Sequence, residues 1–123
     1  VTVVGPATLI PRGIEQLGVE VSHNLDHALE TNDVIMMLRL QLERQQAGLF
    51  PSSSEYVKLF GLTRARLRLL KPEAIIMHPG PMNRGLEICA EAADHERSVI
   101  LTQVSNGVWV RAAVLSLLSQ VQR

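Results

Sequence analysis

Two short stretches of this chain carry residues whose types and spacing could do chemistry. The first is His78-Pro79-Gly80-Pro81, continued by Met82-Asn83-Arg84-Gly85, directly after the apolar run Ala74–Met77. Neither proline has an N–H, so the loop is rich in carbonyl acceptors and short of donors. Pro79 and Pro81 also bias His78 and Gly80 toward extended backbone, and Gly80 has no side chain to block a close approach. Such a loop suits a ligand that donates hydrogen bonds, for example an –NH2 group; it is also the make-up of a stiff loop that only ends a strand. A Gly-Pro bond is one of the few able to be cis, which fixes a tight turn. The second stretch is Arg39-Leu40-Gln41-Leu42-Glu43-Arg44, after the apolar run Val34–Leu38. In an extended chain Arg39 and Gln41 point the same way. A guanidinium and an amide on one face can grip a carboxylate, bidentately where the geometry allows. The alternative is an arginine that closes off a strand in an ion pair with Glu43.

Other candidates are weaker. His23, His27 and His95 lack ligand spacing with carboxylates or thiols, which argues against a metal site. The stretch GPATLIPRG has neither the glycine fingerprint nor the Lys-Ser/Thr pair of a phosphate loop. No Ser–His–Asp or Cys–His arrangement stands out, and Trp109 and Cys89 read as packing residues.

The elements that must position these residues follow from apolar runs of strand length between helix-length segments. Strands are expected at Val1–Val4, Val19–Ser22, Val34–Leu38, Ala74–Met77 and Val99–Val104. Between the first two, Pro11 suits a first helical turn and Gly18 a helix end. Asn24 suits the N-cap of a short helix ending near Asn32. The stretch LEICAEAA reads as helix-like. In the final segment, Val108, Ala112, Leu115 and Leu118 fall at helical spacing, with basic Arg123 at the end. Strand–helix alternation with strands apolar on both faces implies a parallel sheet covered by helices, an open α/β fold of Rossmann-like character. Gln41–Pro72 breaks the rhythm. There Ser53 or Ser54 suits the cap of a short helix carrying Tyr56, Val57 and Phe60, and Thr63 the cap of the next. Arg64, Arg66 and Arg68 alternate with apolar residues and read as a solvated face.

With 123 residues there is enough chain for one core and not for two. Formal net charge is zero, so neither nucleic acid nor an anionic membrane is the default partner, and four aromatic residues leave little for base stacking. One cysteine forms no internal disulfide, which suits a reducing, cytoplasmic setting. No apolar run approaches the roughly 20 residues that span a bilayer, and no signal-peptide pattern is present. The chain opens at Val1 on a strand-like stretch, which leads us to expect missing chain upstream.

Taken together, these residues resemble the second, aspartate-binding domain of the aspartate carbamoyltransferase family over essentially the whole chain. MMLRLQLER resembles the family's strand-end Arg-x-Gln-x-Glu-Arg segment, HPGPMNRGLEI its His-Pro-x-Pro loop, and QVSNGVWVRAAVLSLL its C-terminal helix. The resemblance implies that Arg39, with Gln41 beside it, binds a carboxylate of L-aspartate. It implies that Gly80 and Pro81 line the carbamoyl phosphate site, supported by His78 and Pro79, across a cis Gly80–Pro81 bond. Gln41–Pro72 would be the mobile loop that closes over aspartate. The implied chemistry is attack of the aspartate amine on the carbamoyl carbon and loss of phosphate, in pyrimidine biosynthesis, with no metal or cofactor. The related ornithine enzymes usually carry Cys where Pro79 stands, which favours aspartate. The family's first domain, with its phosphate-binding motif and the histidine that polarises the carbamoyl group, is absent, as are the first strand and helix of the second domain. Residues 1–123 would then be a partial second domain with no catalytic residue of its own and about half a site. Residues 106–123 would form the helix that packs on the first domain. The family works as homotrimers, and a regulatory or dihydroorotase partner is compatible with it. The other reading is a non-catalytic carbamoyltransferase-like module, completed in trans or binding aspartate only.

Overall fold

A computed structural model of the chain describes residues 1–41 and 52–120. Four short strands, β1 (Thr2–Val4), β2 (Glu20–Ser22), β3 (Val34–Met36) and β4 (Ile75–Met77), pair as two parallel couples, β1 with β2 and β3 with β4. The registers are Thr2↔Glu20 through Val4↔Ser22 and Val34↔Ile75 through Met36↔Met77. Helices α1 (Leu25–Thr31), α2 (Ser53–Phe60), α3 (Ala90–Ala93) and α4 (Ile100–Gln120) separate or follow them. The α/β class with parallel strands is as the sequence implies, although each strand is trimmed to three residues.

Local chemistry explains most of the boundaries. Asn24 accepts from the His27 N–H (3.1 Å) and so starts α1, as expected. Before it, Gly13 and Gly18, both at φ +76, bracket a single 3-10 turn, Ile14–Leu17. The expected longer helix beginning at Pro11 is therefore absent. Ser52, not Ser53 or Ser54, caps α2, by accepting from the Glu55 N–H (3.1 Å). Thr63 acts through its backbone carbonyl, which accepts from the Arg66 and Leu67 N–H groups at the head of the 3-10 turn Arg66–Leu69. The helix-like reading of LEICAEAA holds only for α3, because Gly85 at φ +87 turns the chain and Ile88 bridges Leu62 instead.

The fifth expected strand, Val99–Val104, is not one. Ser98 makes a single parallel bridge with Ile76, and the Gln103 N–H already donates to the Val99 carbonyl (2.8 Å), so helix α4 has begun. Residues 121–123, including Arg123, lie outside the described residues.

The core sits under β3 and β4, where Leu29, Leu62, Ile76 and Ile88 are fully buried together with Ala74 and Ala92. Each of the four large side chains contributes roughly 1.5–3 kcal/mol by leaving water. The helix cover of the strands is uneven among the described residues. Ile35 and Met37 face the core, but Val34 and Met36 on the other face are 53% and 48% exposed. No described helix covers that face, and the edges of β1 and β3 border an apolar groove of about 620 Å³ reaching Tyr56 and Phe60. The long helix α4 is likewise anchored chiefly by Ile100 and leaves Val108, Val110 and Leu115 exposed. Trp109 is 75% exposed, so within this chain it is not a packing residue. Cys89, by contrast, packs against the core as expected.

Gln41–Pro72 is only partly the loop expected of it. Residues 42–51 lie outside the described residues, together with the proposed Glu43 ion pair and Arg44. Residues 52–72 are built into the fold, with Phe60, Leu62 and Leu70 buried.

Candidate functional site

The last paired residues of β3 and β4 are Met36 and Met77, and one further bond runs from the Met37 N–H to the Met77 carbonyl (3.0 Å). Three residues beyond that last pair come Arg39 on one strand and Gly80 on the other. The two stretches singled out in the sequence therefore leave the sheet as neighbours. They do so at the carboxyl ends of the strands, where open parallel sheets bind their ligands.

The loop after β4 is held from behind. The Gly80–Pro81 bond is cis, and Gly80 adopts φ +65, a region that favours a residue without Cβ. Its N–H donates to Nδ1 of His78 (2.9 Å). With Nδ1 accepting, Nε2–H is left to face Oε1 of Glu87 at 3.3 Å. His78 and Glu87 are both fully buried, and the His78 N–H donates to Oε1 of Gln103 on α4 (2.9 Å).

Glu87 would be costly in this interior if left unpaired. It accepts instead from His78, from the Asn83 N–H and, on Oε2, from Nδ2 of Asn83 (3.2 Å). The turn that folds it inward is closed by the Gly85 N–H on the Ile88 carbonyl (2.8 Å). Nδ2 of Asn83 also donates to the carbonyl of Leu40 (2.9 Å). Leu40 lies between Arg39 and Gln41, so a single side-chain amide links the two stretches. Gln41, Pro79 and Pro81 are exposed, Arg39 and Gly80 are half-buried, and His78 is the hidden member of the set.

Sequence reasoning missed Glu87, Asn83 and Gln103. Leu86-Glu87-Ile88 reads as an acid between two apolar residues, a pattern that ordinarily points the acid outward. Gly85 was the available signal, because a glycine two residues before the acid permits the turn that reverses its direction. Gln103 carries no such signal.

Helix α2 carries Tyr56, which lies near enough to feel the charge of Glu87. Burial first, and then the negative charge of Glu87, push the Tyr56 hydroxyl above the usual phenol range. The far end of α2 is gripped by Arg66, which corrects the reading of three solvated arginines. Arg64 and Arg68 are exposed, but the Arg66 side chain is only 14% exposed. Its guanidinium donates to the carbonyls of Gly61 (2.8 Å), Lys58 (2.9 Å), Leu59 (3.2 Å) and Val57 (3.3 Å), and pairs with Asp26.

Several other polar side chains have structural partners. Nδ1 of His23 meets the Gly5 carbonyl (2.7 Å), and Nδ1 of His95 accepts from the Arg97 N–H (3.2 Å). Arg84 holds Asp94 through two nitrogens at 2.7 and 2.8 Å, and this hydrogen bonding lowers the Asp94 carboxyl below its usual range. Burial raises the Cys89 thiol above its ordinary value. Among the described residues no group of three or more His, Cys, Asp or Glu is placed to hold a metal, and no helix is long and apolar enough to cross a membrane.

Comparison with known proteins bears on this site. Residues 13–118 match the family model "Aspartate/ornithine carbamoyltransferase, Asp/Orn binding domain". The chain is 60% identical over 119 residues to the aspartate carbamoyltransferase catalytic subunit of Halothermothrix orenii, covering 97% of this chain and 38% of that protein. It is 56% identical, with the same coverage, to the corresponding subunit of Pelotomaculum thermopropionicum. Among solved structures, aspartate transcarbamoylase from Trypanosoma cruzi in complex with carbamoyl phosphate superimposes with a TM-score of 0.76 at 28% identity, over 94% of this chain and 39% of that one. The chain thus spans well under half the length of the relatives it matches.

Proposed function

This chain belongs to the aspartate/ornithine carbamoyltransferase family, as an Asp/Orn-binding domain, and on that premise we propose that it is the acceptor-binding part of an aspartate carbamoyltransferase. The reaction joins the amine of L-aspartate to the carbamoyl carbon of carbamoyl phosphate. A C–N bond forms, the C–O bond to phosphate breaks, and the amine gives up a proton as N-carbamoyl-L-aspartate and phosphate separate. In this reading Arg39 grips a carboxylate of aspartate and Gln41 donates beside it. The carbonyl-rich turn at Gly80 and Pro81 receives the carbamoyl –NH2, with Pro79 and the buried His78 behind it. Catalysis is then mostly positioning, which places amine and carbonyl carbon within reacting distance, and no residue of this chain need exchange a proton with substrate. The phosphate-binding and carbamoyl-polarising groups belong to another domain.

The observation that carries this reading is the emergence of Arg39–Gln41 and Gly80–Pro81 as neighbours from paired strands, joined by the Asn83–Leu40 bond. The exposed apolar side of α4, with Val108, Trp109 and Leu115, supports its docking on that other domain. The reading extends to a homotrimeric, cytoplasmic enzyme of pyrimidine biosynthesis.

The test begins with the intact mass of the natural protein and its acceptor preference. We expect a mass more than twice 13.6 kDa, carbamoylation of aspartate rather than ornithine, and a KM for aspartate at least roughly a hundredfold higher in Arg39→Ala. A natural protein of about this chain's mass, or preference for ornithine, would overturn it.

A further inference from the structure

Arg39, Gln41, Gly80 and Pro81 are assigned direct contact with the substrates; the structure also contains a group that joins their two segments from behind. The side chain of Asn83 bonds to both the Arg39–Gln41 segment and the buried pair behind the Gly80–Pro81 turn. Its Nδ2 has two N–H bonds to give, and both are used: one on the Leu40 carbonyl at 2.9 Å, the other on Oε2 of Glu87 at 3.2 Å. Its backbone N–H donates to Oε1 of the same carboxylate. Glu87 is thereby a fixed anchor, since His78 also holds Oε1 and His78 is itself fixed by Gly80 and Gln103.

We propose that Asn83 is a positioning residue for the aspartate site, holding the Leu40 carbonyl so that Arg39 and Gln41 are presented at a fixed distance from the Gly80–Pro81 turn. This rests on the assignment of Arg39 and Gln41 to aspartate. An asparagine is suited to the task, because only a two-donor group can hold a carboxylate and a carbonyl together; an aspartate of the same shape would set a second carboxylate against Glu87 and leave Leu40 without its donor. The two ends of the link differ in dependence. The Glu87 end keeps the His78 and Asn83 backbone donors if the side chain is lost, whereas the Leu40 end loses the Asn83 donor altogether. Removal of the amide therefore frees the aspartate side more than the carbamoyl phosphate side.

The test is steady-state kinetics of the full-length enzyme carrying this segment, with both substrates varied, for the wild type and for Asn83→Ala, Asn83→Asp and Asn83→Ser. We expect Asn83→Ala and Asn83→Asp to raise the KM for aspartate about tenfold, while the KM for carbamoyl phosphate moves by roughly twofold or less. Asn83→Ser, with one short donor, should fall between them and the wild type. Arg84→Ala, on the same loop but paired with Asp94 outside this network, should leave both constants unchanged. A purely structural role for Asn83 predicts a different result, an equal rise in both KM values or lost folding with no kinetic split in the folded Asn83→Ser variant; either overturns the proposal, as does an unchanged aspartate KM in Asn83→Ala. Failure of the underlying assignment is distinct, because Arg39→Ala would then leave the aspartate KM unchanged in the same assay.

Discussion

Replacing Arg66 by Met removes the guanidinium and keeps most of the apolar stem, and the consequences can be worked from the structure. Helix α2 has eight residues, too few to stand alone in water, and its last carbonyls have no partner within the helix. Arg66 supplies partners to four carbonyls at the end of the helix and just beyond, the two shortest bonds being to Gly61 and Lys58. Part of that region is open to water, so each of those two is credited with about 1 kcal/mol, the value of an ordinary neutral hydrogen bond and below the range for a fully desolvated charged donor. The ion pair to Asp26, itself half-exposed, and the cation at a helix C-terminus contribute about 0.5 kcal/mol each. The expected loss is about 3 kcal/mol, or about a hundredfold in any opening equilibrium of α2.

Amide hydrogen exchange on a peptide covering Ser53–Phe60 reads that opening directly, and Arg66→Met should raise its exchange rate about a hundredfold. Arg66→Lys should recover only part of this, since one ammonium cannot span four carbonyls and a carboxylate. The exposed Arg64→Met and Arg68→Met should change stability by about 0.5 kcal/mol at most. Exchange in Arg66→Met within about fivefold of the wild type would refute the reasoning: water would then serve the carbonyls as well as the guanidinium does.

Three further outcomes follow from other parts of the molecule. A Cβ at Gly61 would stand 2.8 Å from the carbonyl oxygens of both Leu86 and Val57, so Gly61→Ala should cost about 1–3 kcal/mol in urea unfolding, and a neutral result would mean that the α2–Leu86 contact is loose. Tyr56 is the sole tyrosine, so absorbance at 295 nm isolates it; burial and Glu87 should place its titration above that of the urea-unfolded chain. Because the folded pKa is raised, stability is full below the unfolded phenol's value and falls as pH rises through the folded one; coincident titrations would contradict it. The isolated 123-residue chain should self-associate through the exposed side of α4 and the open face of β3; a clean monomer by sedimentation, with Trp109 emitting as an exposed indole, would count against this.

What was legible in the sequence is what depends on near neighbours. Asn24 caps α1 because capping needs only a side-chain oxygen and an N–H three residues on. The Gly80–Pro81 turn was readable because each proline constrains its own predecessor. Val99–Val104 was misread because its apolar residues satisfy strand length and helical spacing alike, and only the bridge from Ser98 to Ile76 shows where pairing ends. Arg66 was misread because its partners lie five to nine residues back and at Asp26, forty residues away. The same limit hid Glu87. Gly85 signals that the chain can turn there, but whether the acid then folds inward is decided by a histidine nine residues earlier.

That buried network is also the feature hardest to account for by stability alone. In a core otherwise apolar, replacing a histidine, a glutamate and an asparagine with apolar residues of like volume is often neutral or stabilising for a fold. Such a filling would keep β3 and β4 paired, since their backbone bonds do not involve these side chains. It would lose direction, because apolar contacts fix density and not the angle at which a carbonyl is held. The bonds from His78 to Gly80, from Glu87 to His78 and from Asn83 to Leu40 form one directional chain from the turn after β4 to the segment after β3. A site that works by positioning depends on that distance more than on the depth of its core, and a fully satisfied polar network is what fixes it.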